Sequence, residues 1–466
     1  MRRPSVQVGI IGAGMGGLAA GIAMARAGAQ VTLLEAASEL GEIGAGIQMV
    51  PNVSRFLIRW GVDKIIGDNL VLHDECNTWD KSELVAWADP KVMAKNTGFP
   101  WWVVRRDHLH AGLSESAKRH GAKMVVNARV CKIGYVEDDV EVETTGGDVY
   151  RFHLVIGADG IRSFMRQQLF PGVMPKATSK VAAYRGVLSY DKIFAEVPEA
   201  RSYLRNTMDV WSGMKGYVLT YPISGGKECN IVTAFCKDYY VTQMEEVDIN
   251  EFREYYKDLH PIIQKVIRLV PYTQRWPLLQ MPKMERWSNE KRNVVLLGDA
   301  AHCMQNHMAQ GAATAVEDGA FLGRVISGVV RGAIDVPKAV ELYENRRIPK
   351  AWIKQQISFV SGIVNMTSEE ERLKIRDKAT RPEIWARDQN PVDPPQLPPA
   401  YRSWQFYSSE NTMPGLFYYD AEGDADNAVC EYLQSVGEVD DFEMLSANLK
   451  NMWTGYVDNN GTTIEE

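Results

Sequence analysis

Cysteine is scarce in this chain and forms no pairs in sequence. Cys76, Cys131, Cys229, Cys236, Cys303 and Cys430 make no CxxC and no Cys/His cluster. That excludes a zinc-ligand framework and gives no sign of a disulfide scaffold. Free thiols in a reducing compartment are expected, hence a cytoplasmic protein with no metal site. A basic surplus is also missing. Lys and Arg number 52 against 59 Asp and Glu, a net charge of −7, which does not suit a nucleic-acid face. Long apolar runs are absent but for one: Val8 to Ala25 carries no polar side chain and follows Arg2 and Arg3. It imitates a leader or membrane span. Gly12, Gly14, Gly16 and Gly17 break it where a strand would end and a turn begin, so no membrane partner is expected. There is no internal repeat. The chain has 466 residues, 45% of them hydrophobic, enough for two or three domains with a substantial core.

What is present alternates strand and helix. Val6–Ile11 reads as a buried parallel strand, Leu18–Ala27 as a helix of small residues stopped by Gly28, and Gln30–Leu34 as a second strand. Pro51 opens another helix. Asp107–His120 reads as a helix, and Lys123–Val126, Val130–Val136 and Val140–Thr145 as strands. Gly146-Gly147 turns into a strand over Val149–Val155. The centre is rich in strand patterns: Val181–Tyr190, Tyr217–Pro222 and Cys229–Phe235. Val294–Leu297 is again a buried strand, and Gly311–Val330 and Ile334–Ser358 are helical. Prolines at 391, 394, 395, 398 and 399 mark a linker, followed by an aromatic tail. The expected class is α/β: a Rossmann-like dinucleotide-binding domain in two pieces (1–175 and 281–378), a β-sheet-rich substrate domain (176–280), and a Pro-rich linker with a helical or extended tail (379–466).

Three motifs carry chemistry. Gly12-Ala13-Gly14-Met15-Gly16-Gly17 lies between a strand and a helix. Gly12 permits the tight turn, Gly14 lets a pyrophosphate approach the backbone, and Gly17 lets helix and strand pack closely. The helix N-terminus then faces the phosphates with unpaired N–H groups. Glu35, about 20 residues on, suits a ribose diol and repels a 2′-phosphate. The second motif is Gly157-Ala158-Asp159-Gly160-Ile161-Arg162-Ser163. The third, Gly298-Asp299-Ala300-Ala301-His302, follows a buried strand. Asp299 there can bond a ribityl chain, and the helix from Gly311 points its positive end at a flavin ring. Together the three favour FAD over NAD. No second strand–GxGxxG–helix unit exists for a nicotinamide cofactor.

With these motifs the chain resembles the single-component FAD-dependent aromatic hydroxylases, nearest the salicylate hydroxylase branch and its fungal members. The resemblance runs from Val6 to about Ser358. Besides the three motifs it rests on Gly44-Ala45-Gly46-Ile47-Gln48, Pro51-Asn52, Arg106 in Val-Arg-Arg-Asp-His-Leu-His, Arg166, and Ala309-Gln310-Gly311-Ala312. The tail stretch Phe417-Tyr418-Tyr419-Asp420-Ala421 also fits. It implies a glutathione-reductase-type FAD domain in which Glu35, Ala45, Gly46, Arg106, Val130, Asp299, Gly311 and Ala312 contact FAD. It also implies that Asp159-Gly160 serves both FAD and a transient NADH or NADPH. The implied reaction is monooxygenation: NAD(P)H reduces FAD, dioxygen forms a flavin hydroperoxide, and an oxygen atom passes to an electron-rich ring.

A phenol reacts better as phenolate, so a cation or hydrogen-bonding group near its oxygen helps. Arg185 in Ala183-Tyr184-Arg185-Gly186 and Tyr221 in Thr220-Tyr221-Pro222 are the catalytic candidates, weighed against an ion-pair partner and a core aromatic. His302 reads as structural. Where relatives carry a proline followed by an aromatic, this chain has Asn306 and His307 after Gln305. These are substrate-pocket candidates and make simple salicylate chemistry doubtful. Small aromatic substrate and dioxygen are the expected partners. Two alternatives stay open: an epoxidase or N-hydroxylase using the same chemistry, and a non-catalytic binding protein on the same fold.

Overall fold

The computed structural model describes residues 5–41, 44–366 and 416–437. The proline cluster and the aromatics Trp404 and Phe406 lie outside them.

Five parallel strands form the first sheet, in the order Val294–Leu296, Leu154–Gly157, Gln7–Ile11, Gln30–Leu34, Lys123–Val125. Val8, Ile10, Leu154, Ile156 and Val295 are wholly buried. Burial on both faces is what makes these strands continuous apolar runs. The helix Met15–Arg26 packs along Gly311–Arg331. Both are built of small residues because their backbones nearly touch. A Cβ on Gly319 would stand 2.6 Å from the Ala20 nitrogen, and one on Gly323 would stand 2.4 Å from the Ala23 Cβ.

The second sheet has eight strands, in the order Glu245–Glu246, Gln274–Gln280, Lys176–Ser189, Glu228–Cys236, Gly216–Ile223, Thr207–Ser212, Glu75–Asp80, Glu83–Ala88. Its last two strands come from the 1–175 segment, so the central region does not supply this sheet alone. Side chains alternate between faces. Tyr184, Leu188, Trp211, Val218 and Ile231 pack under helices Tyr190–Glu196, Ile249–Glu254 and Pro261–Arg268. The other face carries Tyr217, Leu219 and Tyr221 toward the first sheet's half of the molecule, where Tyr221 joins the main core.

One expected element divides in two. The run Val149–Val155 is not a single strand: Val149–Phe152 pairs antiparallel with Asp139–Thr144, and Leu154–Gly157 pairs parallel with Gln7–Ile11. The switch falls at His153, whose Nδ1 accepts from the Gln7 N–H at 2.8 Å and whose own N–H donates to the Gln7 carbonyl at 3.0 Å. The pattern changes there: apolar and polar residues alternate through Arg151 and His153, and the run turns continuously apolar only at Leu154.

The long helix Val336–Asn365 and the tail helix Ala421–Ser435 both pack on Gly311–Arg331. Charge docks the tail. Arg324 makes a buried fork with Asp426 at 2.7 and 2.8 Å, and Asp420 meets Arg59 at 2.9 Å and Arg55 at 3.3 Å. Phe417 lies against Trp101, ring centroids 5.7 Å apart. Removing one member of such a buried pair strands the other charge, at about 3–5 kcal/mol.

Candidate active site

The three motifs meet in space. Gly12 holds φ +102°, and a Cβ there would lie 2.6 Å from the Ala158 carbonyl oxygen; a Cβ on Gly17 would lie 2.1 Å from the Gly12 oxygen. The first motif is thus pressed onto the second. Arg166 joins the second to the third: its guanidinium donates to the carbonyls of Ala300 (3.1 Å), Ile161 (2.8 Å) and Val173 (3.2 Å). Ser163 caps the short helix Phe164–Leu169, accepting from the Arg166 N–H at 2.8 Å, and Asp159 stands beside that cap. Asp159 accepts from Ser163 Oγ at 2.5 Å and from the Met165 N–H at 3.0 Å. These bonds fix the carboxylate at the strand–helix junction.

Around this junction stand the groups that a dinucleotide needs. A Cβ on Gly14 would meet nothing within 4 Å, although its neighbours in the turn are crowded. The helices starting at Met15 and Gly311 have no side-chain cap, so their positive ends remain available to an anionic ligand. Glu35 is held in place by the N–H groups of Ala13 and Ala37, one to each carboxylate oxygen at 2.8 Å. Each oxygen keeps a lone pair for a hydroxyl. Val130 begins its strand two residues after Ala128, whose N–H bonds the Glu35 carbonyl at 2.8 Å. Asp299 is accessible between the buried Gly298 and Ala300. Crowding by protein raises its carboxyl pKa, against the pull of His302, Arg106 and Arg166. Arg106 is tied to the Gly44–Gly46 loop through its N–H, 2.8 Å from the Ala45 carbonyl. Gly46 in turn abuts Tyr221. An open glycine turn, two uncapped helix starts, a held carboxylate and the Arg106–Ala45 contact are groups that fit FAD.

Tyr221 is the point where the two sheets' halves meet. Burial pushes its phenol pKa up, while Arg185 and Arg106 oppose that rise. Arg185 sits on the same face, two residues along: it pairs with Val232, which pairs in turn with Leu219, while Tyr221 pairs with Asn230. The loop candidates have separate fates. Gln305 is buried, and its amide donates to Thr178 Oγ1 (2.9 Å) and Ser179 Oγ (3.1 Å). Asn306 is half-buried. His307 is buried, with Nδ1 2.8 Å from the Tyr217 hydroxyl and its ring in the notch left by Gly362. Burial lowers its pKa to about 4, so it is neutral.

Other residues of the site escaped the sequence reading. His110 holds the Ala13 carbonyl at 2.7 Å. Tyr217 lies four residues before Tyr221 on one strand, and strand alternation alone would have put both on one face. Beneath the third motif is a buried charge network. Asp318 takes His302 Nε2 at 2.6 Å, Arg347 Nε at 2.8 Å and the Gly298 N–H at 3.2 Å. Burial would raise this acid, but His302 and Arg347 prevail and hold it at about 2. Glu317 takes Arg347, Lys354 and Asn52 at 2.6–2.8 Å. His302 is thus tied to Asp318 on one ring nitrogen.

Comparison with known proteins agrees with this geometry. A family model described as "FAD binding domain" matches residues 5–357. The chain belongs to this family. It is 33% identical over 350 residues to 3-hydroxybenzoate 6-hydroxylase of Klebsiella oxytoca, covering 73% of this chain and 84% of that protein. It is 31% identical over 377 residues to a FAD-dependent monooxygenase of Beauveria bassiana, covering 77% and 86%. A solved salicylate hydroxylase substrate complex shares the fold at a TM-score of 0.68 and 20% identity, over 84% of this chain and 99% of that one. The protein is accordingly a FAD-dependent monooxygenase of the aromatic-hydroxylase class. The resemblance read from the motifs stands, and the non-catalytic alternative is not favoured. Among the described residues, no helix is long and apolar enough to cross a membrane and no metal-ligand cluster occurs.

Proposed function

We propose that this enzyme hydroxylates a phenolic ring, of hydroxybenzoate type or larger, with NADH or NADPH as electron donor. The observation that carries the reading is Tyr221: it lies against Gly46, next in chain to the Arg106–Ala45 contact, and within the electrostatic reach of both Arg185 and Arg106. FAD, when bound, supplies the activation of dioxygen. We assign Gly12, Gly14, Gly17, Glu35, Ala45, Gly46, Arg106, Val130, Asp159, Asp299, Gly311 and Ala312 to its binding.

The protein's own part is positioning, charge and dryness. Arg185 offers a cation to a phenolate or carboxylate oxygen, and favours the ionised ring that is the better nucleophile. Tyr221 places a hydroxyl beside it. Leu219, Val232, Trp276 and Leu278 line the same sheet face and exclude water. The neutral His307–Tyr217 pair contributes no net charge to its end of the chamber. That arrangement suits a substrate with an anionic group near Arg185 and a neutral part toward His307. We place the enzyme in the cytosol, which its six free cysteines suit.

The test is NADH and NADPH oxidation by purified enzyme across a panel of hydroxybenzoates and larger phenols, with product mass analysis. Substrate-stimulated oxidation with one oxygen atom added to the ring supports the reading. Oxygen found on an alkene or amine of an added indole or amine panel, with no phenol accepted, would replace it with the epoxidase or N-hydroxylase reading.

A further inference from the structure

Asn230 lies at the centre of the strand Glu228–Cys236 and is completely buried. Its register partners are Val187 on one side and Tyr221 on the other. Its Oδ1 accepts the Gly46 N–H at 2.7 Å. Because that partner can only donate, the orientation of the amide is settled: oxygen to the loop, nitrogen away from it. Among the described residues the Nδ2 group has no acceptor. A buried amide donor left unpaired is costly and uncommon.

The surroundings are tight. A Cβ on Gly46 would stand 2.6 Å from Asn230 Cγ and 2.7 Å from a Tyr221 ring carbon. Two residues earlier, on the same face of the strand, Glu228 takes Arg105 Nη1 at 2.9 Å. Arg105 is also forked to Asp107 at 2.9 and 3.0 Å, and its guanidinium fills the space beside Gly44. One strand thus grips the Gly44–Gly46 loop at both ends: by an ion pair at Gly44 and by a neutral amide at Gly46. The ion pair is internally complete. The amide has one donor to spare, packed beside Gly46 and the Tyr221 ring.

We propose that Asn230 positions the flavin: its Oδ1 locks the Gly44–Gly46 loop, and its Nδ2 donates to an acceptor of the ring, a carbonyl oxygen or N5. The inference rests on the FAD assignment and adds to it a residue that none of the three motifs contains. Two variants separate the two bonds. Asn230→Ala removes both. Asn230→Asp keeps an acceptor for the Gly46 N–H but loses the donor.

The measurements are FAD dissociation constant by fluorescence quenching, visible spectrum, reduction potential of the bound flavin, and melting temperature of the FAD-free protein. Asn230→Ala should raise the FAD dissociation constant about tenfold or more, the worth of a buried hydrogen bond, and shift the spectrum. Asn230→Asp should lower the FAD-free melting temperature more at pH 8 than at pH 5, because the buried carboxylate is desolvated once ionised, and at pH 8 it should lower the potential, because a carboxylate disfavours an anionic reduced ring. If Asn230→Ala does not fold, Asn230→Asp still decides the matter through the potential. Unchanged affinity and potential in the variants overturn the inference. So does a rise in substrate KM alone, which would give the donor to the substrate. Wild-type protein that takes up no FAD would overturn the cofactor assignment and this inference together; normal uptake by wild type and variants alike overturns only this one.

Discussion

Replacing glycine by alanine inside a helix ordinarily stabilises a protein by about 1 kcal/mol, through helix propensity and a stiffer unfolded chain. At Gly323 the structure reverses the sign. The new Cβ would sit 2.4 Å from Ala23 Cβ, 2.7 Å from the Ala23 carbonyl carbon and 2.9 Å from its oxygen. Two of these three atoms are backbone and cannot rotate away. Relief needs the helices Met15–Arg26 and Gly311–Arg331 to part by roughly 1 Å over a packed seam, and overpacking of that kind costs about 1–3 kcal/mol. Set against the propensity gain, the cost leaves Gly323→Ala a net loss of up to about 2 kcal/mol. Both helices start with uncapped N-termini among the groups that fit FAD, so FAD affinity should fall as well.

Gly423, in the tail helix, is the control. Its Cβ would meet only Asp420 atoms, the nearest at 3.7 Å, which is ordinary contact. Gly423→Ala should therefore gain about 0.5–1 kcal/mol from the same chemical change. Urea unfolding of the two FAD-free variants, with FAD titration alongside, reads both effects. The double variant Gly323→Ala/Ala23→Gly should recover part of the loss, because one of the three clashes disappears. A Gly323→Ala protein as stable as Gly423→Ala would refute the close-approach reasoning.

Three further outcomes are expected. Asp299→Ala should purify colourless and fail to take up FAD; stoichiometric flavin in that variant would remove Asp299 from the binding set. Arg185→Ala should keep its flavin and lose product formation, so a wild-type ratio of hydroxylated product to NAD(P)H consumed would clear Arg185 of its role. Asp209 is buried, and burial raises its carboxyl to about 6 in spite of hydrogen bonds from Thr207, Trp79 and Asn77. Its folded pKa is above the unfolded one, so its contribution is full below about pH 4 and is lost as pH rises through 6, about 3 kcal/mol in all. Asp209→Asn should flatten that decline, and denaturant midpoints measured from pH 4 to 8 that fall in parallel for both proteins would contradict it.

Legibility followed the range of the interactions. Gln30–Leu34 and Val130–Val136 were readable to the residue, and Met15–Arg26 and Gly311–Arg331 to within a few, because hydropathy and glycine placement are local signals. The FAD assignment was readable too, since each motif carries its own turn and helix start. The strands Glu75–Asp80 and Glu83–Ala88 were not assigned to the central sheet, since partner choice depends on residues more than a hundred positions away. The division at His153 coincides with a change from alternating to continuously apolar residues, which a single strand assignment overran. The lone His307 could be seen as polar, but its commitment to Tyr217 could not.

The amino-acid order by itself determined that this chain binds FAD and belongs among the flavin monooxygenases: strand, glycine turn and helix arise from neighbouring residues, and the ligand chemistry is written into the turn. Only the tertiary structure decided which side chains share the chamber. Asn230 reaches Gly46 across 184 positions, Arg347 crosses 29 to neutralise Asp318, and Asp426 crosses 102 to Arg324. Such contacts depend on how sheets and helices are stacked, and short polar side chains show no periodicity that would announce their partners in advance.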